Sequence, residues 1–122
     1  MFELTGIVVP GDRRGRTIGF PTANIVPSPE DPPIARGVYA AWADDRPAAV
    51  NVGVRPTFQG ATPGLVVEVH VLDFSGDLYG REMRVRFVEK LREERPFASA
   101  DELIEQLKGD VQAVRVVLKL GS

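Results

Sequence analysis

The chain has 122 residues, 43% of them hydrophobic, enough for one core and too few for two, so a single domain over 1–122 is expected. A formal net charge of −2 and a pI near 5.4 exclude a chain-wide surface for polyanions, so any positive field is local and nucleic acid is not an expected partner. No cysteine and one histidine exclude disulfides, thiolate metal sites and a zinc site made by histidine, and the lack of a leader-like start or of a run near 18 apolar residues predicts a cytoplasmic protein with no membrane partner.

Phe2 to Val9 mix β-branched and polar positions and stop at Pro10-Gly11, which predicts a first strand. It runs into the segment from Gly11 to Asn24, which holds three glycines (Gly11, Gly15, Gly19), three arginines (Arg13, Arg14, Arg16) and the polar Thr22 and Asn24 behind Pro21. Glycines let backbone N–H groups approach a ligand closely, arginines supply charge, and neutral oxygens suit a hydrated divalent cation. Such an inventory fits a nucleotide-phosphate site, although a Gly/Pro/Arg-rich loop is also an ordinary surface connection. It is not a Walker A loop, since no Gly-Lys-Ser/Thr ends it. It is not a dinucleotide fingerprint either, since Pro21 stands where a helix would begin. Composition alone leaves the ligand open.

Ile25 to Ile34 carries Pro27, Pro29, Pro32 and Pro33, which predicts a stiff connection, neither helix nor central strand. Gly37 to Ala43 and Ala48 to Val54 are apolar runs joined by the turn-like residues Asp44 to Pro47, which predicts a hairpin. After a loop from Arg55 to Gly64, Leu65 to Phe74 is the strongest strand. Glu82 to Val88 alternates Met83, Val85 and Phe87 against Arg84 and Arg86, one face buried and one wet. Ser99 with Glu102 three residues on is a capping box. From there Leu103, Ile104, Leu107, Val111, Val114 and Leu118 share one side of a helix that Gly109 weakens by about 1 kcal/mol. Short strands, Gly- and Pro-rich loops and one late helix predict a small antiparallel barrel partly covered by that helix.

Within Leu65 to Leu72, Val67, Val69 and Val71 share one face, and Val66, Glu68, His70 and Leu72 the other. A carboxylate and an imidazole therefore stand side by side. On a wet face they are ordinary solvated residues; on the wall of a cleft, Glu68 is placed to act as a base.

Gly19 to Asn24 (Gly-Phe-Pro-Thr-Ala-Asn) after a glycine-rich lead resembles the signature of the riboflavin kinase family, which in bacteria is usually the C-terminal half of a bifunctional FAD synthetase. The resemblance spans Gly6 to about Leu118 in four separated motifs. It implies a mainly β fold, a six-stranded antiparallel Greek-key barrel with a C-terminal α-helix packed on it. The implied reaction is transfer of the γ-phosphate of ATP to the 5′-hydroxyl of riboflavin, giving FMN and ADP.

By the same resemblance Glu68 is the general base, and Thr22 and Asn24 reach Mg²⁺ and the nucleotide phosphates. Gly11 and Arg16 line the ATP site with them, and Asp73 and Tyr79 match its nucleotide side, where the plain alternatives are a turn aspartate and a half-buried tyrosine. Arg92, Arg95 and Phe97 are implied to flank the isoalloxazine, since an aromatic face and a guanidinium both stack on a planar ring; otherwise the segment is a solvated charged loop. The implied cofactor is Mg²⁺ with ATP as co-substrate, and the implied partner is an adenylyltransferase domain or a separate FAD synthetase. Two other functions compete: a flavin- or nucleotide-binding regulatory module without turnover, and a small barrel binding single-stranded nucleic acid through its loop arginines.

Overall fold

A computed structural model describes residues 2–10, 23–27, 34–54, 65–73 and 79–120. Six strands, β1 (Phe2–Pro10), β2 (Ala23–Pro27), β3 (Gly37–Ala43), β4 (Arg46–Val54), β5 (Leu65–Val71) and β6 (Glu82–Arg92), precede one helix, α1 (Ala100–Val117). They close into a barrel of order β1-β2-β5-β4-β3-β6, every neighbouring pair antiparallel. The β3-β4-β5 meander with β2 returned beside β5 is a Greek key, so the expected architecture is the one found.

Alternation fills the interior. Val8, Ile25, Val67 and Val52 are successive cross-strand partners at 2% exposure or less, and Leu4, Val50, Val69, Val85 and Phe87 complete the core around the edge-to-face pair Tyr39–Phe87. A second, smaller cluster lies outside the barrel wall, where Ala40, Ala49, Leu72 and Leu91 receive Val111, Val114 and Val117 of α1 and its C-cap, Leu118. The helix starts at the predicted cap: Ser99 Oγ accepts the Glu102 N–H at 3.2 Å, and Glu102 reaches back to the Ala98 N–H at 2.9 Å. It runs through Gly109 without a break. Among the described residues no helix is long and apolar enough to cross a membrane.

Four sequence-based boundaries are corrected, the first being that the strand expected over Leu65 to Phe74 ends at Val71, with Leu72 and Asp73 in a turn. Ile25 to Pro27 do lie in a strand, and between two others, because Pro27 is its last residue, where a missing N–H costs no interior ladder bond. Pro47 likewise belongs to β4, second from its start, opposite Trp42. β6 continues four residues past Val88, carried along β3 by two register shifts, so Leu91 and Arg92 are strand residues and not part of a loop.

Candidate functional site

One step along the strands from the core rung of Ile25, Val67 and Val52, the register pairs Asn24 with Glu68 and Glu68 with Asn51. The pleat turns every alternate residue outward, so these three side chains stand in a row on the outer wall of the barrel. The row continues from Asn51 to Val38 and from Val38 to Arg92, and at its other end from Asn24 to Val9. Glu68 is half-buried, and strands about 4.8 Å apart put both amides within side-chain reach of it.

Among the described residues, the only buried side-chain polar atoms without a hydrogen-bond partner are Oδ1 of Asn24 and Oδ1 of Asn51. Leaving such an atom unpaired costs roughly 1–3 kcal/mol. Both orphans flank the same carboxylate. An orphaned, uncharged oxygen at Asn24 fits a divalent cation that takes most of its ligands from phosphate and water. No group of three or more acidic or histidine side chains able to hold a metal occurs among the described residues.

At the far end of the row, the Arg92 guanidinium grips Asp110 of α1 through two bonds of 2.8 Å and donates to the Glu93 carbonyl at 3.0 Å. Asp110 is 4% exposed and also receives the Gln106 amide at 3.0 Å. Each nitrogen of the Arg92 guanidinium therefore donates one hydrogen bond, two of them joining β6 to α1, and its carbon lies 5.9 Å from the Phe97 ring centroid. Arg95 lies over the same ring at 4.7 Å. Beside them Glu94 pairs with Arg36 at 3.0 Å and lies so close over Gly53, two residues from Asn51, that a Cβ there would stand 2.7 Å from its carboxylate.

The structure thus brings Asn24 to Glu68 and gathers Arg92, Arg95 and Phe97 into one cluster three strands along the row. Asp73 sits past the end of β5, its carboxylate taken by Arg115 of α1 at 2.6 Å. Tyr79 is 43% exposed beside Gly80, whose N–H bonds the Val8 carbonyl at 2.7 Å where β1 heads towards the glycine-rich segment. Gly11, Arg16 and Thr22 lie outside the described residues. Two open depressions, of about 430 Å³ against Arg95 and the acidic start of α1 and about 440 Å³ among Glu3, Asp44, Glu82, Arg84 and neighbours, do not include Glu68. Sequence reasoning missed Asn51 and Asp110. The one signal for Asn51 was a lone amide between Val50 and Val52 in an otherwise apolar strand.

The flavokinase family model, described as riboflavin kinase, matches residues 1–118. The bifunctional riboflavin kinase/FMN adenylyltransferase of Escherichia coli (strain K12) is 44% identical over 119 residues, covering 93% of this chain and 37% of that protein. The chain therefore spans little more than a third of the length of the curated relatives it matches. Among solved structures, a Streptococcus pneumoniae protein described as a macrolide-efflux protein superposes with a TM-score of 0.83 at 37% identity, covering 93% of this chain and 38% of that one. The riboflavin kinase of Trypanosoma brucei gives 0.74 at 28% identity, covering 97% and 80%.

Proposed function

The chain belongs to the riboflavin kinase family, and from that premise we propose that it transfers the γ-phosphate of ATP to the 5′-hydroxyl of riboflavin. Glu68 takes the hydroxyl proton as the oxygen bonds to phosphorus, and the bond to the ADP oxygen breaks. Such a transfer asks the protein for position and charge balance more than for covalent chemistry. A half-buried carboxylate on a barrel strand holds a proton acceptor at a fixed place, because its backbone is bonded on both sides. Thr22 and Asn24 would hold the divalent cation, which when bound neutralises phosphate charge. Gly11 and Arg16 face the nucleotide, and Tyr79 and Asp73 border it. Phe97 and Arg95 offer stacking surfaces for the flavin ring, with Arg92 lending a face and anchoring the cluster. Relatives that join this module to FMN adenylyltransferase make such a domain the natural consumer of the product.

The observation carrying this reading is the placement of Glu68 between Asn24 and Asn51 in one row, with a buried unpaired oxygen on each side. Incubation with riboflavin and Mg-ATP should yield FMN and ADP, and Glu68→Gln should lower kcat by about 100-fold or more while riboflavin affinity stays near the wild-type value. Wild-type protein that binds flavin and moves no phosphate would make the chain a binding module instead.

A further inference from the structure

Asn51 stands on the opposite side of Glu68 from Asn24, between the carboxylate and the part of the row that leads through Val38 to Arg92 and the Phe97 cluster. Its Oδ1 is buried and accepts no hydrogen bond. The residues directly opposite it and its same-face neighbours along β4 supply no side-chain donor. Glu68 opposite it on β5 is an acceptor when ionised, Val38 opposite it on β3 is apolar, and Ala49 and Gly53 are the nearest same-face residues of its own strand. An oxygen left in that condition beside a reacting carboxylate is matched by a donor that arrives with the ligand.

We infer that Asn51 determines specificity for the polyol chain of the substrate, its amide oxygen accepting a hydrogen bond from a secondary hydroxyl next to the reacting one. The inference rests on the kinase reading above. With phosphates at Asn24 and the flavin ring at the Phe97 end, a five-carbon chain whose terminal oxygen meets Glu68 must pass Asn51, one strand spacing of about 4.8 Å away. That contact fixes which hydroxyl faces the base. It also rejects a flavin without secondary hydroxyls, since such a ligand leaves the oxygen buried and unpaired.

The test compares riboflavin with a flavin bearing a plain 5-hydroxypentyl chain at N10, using wild type, Asn51→Ala and Asn51→Ser. Wild type should prefer riboflavin in kcat/KM by roughly tenfold or more. Asn51→Ala should raise the riboflavin KM by a similar factor, erase the preference, leave the KM for ATP unchanged and turn over the hydroxypentyl flavin as wild type does. Asn51→Ser, which keeps an oxygen, should recover part of the preference. The thermal midpoint of Asn51→Ala should equal or exceed that of wild type, because an unpaired buried group has been removed; a purely structural asparagine would lower it. An Asn51→Ala protein that discriminates the two flavins as wild type does overturns the inference and leaves the kinase reading standing. Wild type that phosphorylates neither flavin overturns both.

Discussion

Asp110 is a carboxylate at 4% exposure on a helix, a position that costs several kcal/mol unless the charge is met. Arg92 meets it edge to edge, and the bidentate pair ties β6 to α1 next to the segment that carries Phe97. Arg92→Leu should therefore lower stability by about 3 kcal/mol in urea denaturation, because Asp110 is left buried and unmatched. Adding Asp110→Leu should restore much of that loss, since an apolar pair is often as stable as a buried ion pair. Arg95→Ala removes only an exposed guanidinium lying over the half-buried Phe97 ring; it should change stability by less than about 1 kcal/mol and act on the riboflavin KM alone. An Arg92→Leu protein that unfolds at the wild-type urea concentration would refute the anchoring role. The two arginines look alike in the sequence, three residues apart in a charged run, because what separates them is a helix residue 18 positions away. Glu68 and Asn24 were legible because each sits in a short motif. Asn51 was not, because its meaning comes from a register across β4 and β5 that no local pattern encodes.

Most elements were legible for a simple reason: alternation survives where one strand face meets the core and the other meets solvent, as in β6 from Glu82 to Val88. β2 was hidden, since its one proline, Pro27, reads together with Pro29, Pro32 and Pro33 as one stiff segment, although Ala23 to Val26 precede the first of them. The end of β6 was hidden too, because the register shifts against β3 break the alternation just where charges accumulate. The helix shows the reverse case, a weak point that the fold tolerates. At Gly109 a Cβ would meet no atom within 4 Å, so Gly109→Ala fills open space and removes backbone freedom from the unfolded chain. It should raise stability by about 1 kcal/mol, readable as a higher thermal midpoint with FMN formation unchanged. A drop in the midpoint would mean that α1 needs flexibility at this point.

Closure of the barrel sets where the row of site residues begins and ends. From Val9 it passes Asn24, Glu68, Asn51 and Val38 and arrives on β6 at Arg92, whereas β1 meets β6 only over Glu82–Phe87. A row that climbs in this way is the stagger a closed sheet requires, and it lifts the Arg92 end towards the segment bearing Phe97 while keeping Asn24 at the end of the glycine-rich segment. β1 is the strand that holds this geometry, being the bridge between β2 and β6 and the donor of Leu4 and Val8 to the core. Deleting residues 2–9 would expose two strand edges and remove two buried core side chains, Leu4 and Val8, each worth roughly 1.5–3 kcal/mol of burial. Against a total stability of about 5–15 kcal/mol for a domain, that loss and the vanished ladder bonds should leave no cooperative unfolding transition by far-UV circular dichroism and an aggregating species by size exclusion. A truncated chain that stayed monomeric and unfolded cooperatively would show that β2 through β6 hold the row of site residues without closure, and the stagger would then be a consequence of local pairing alone.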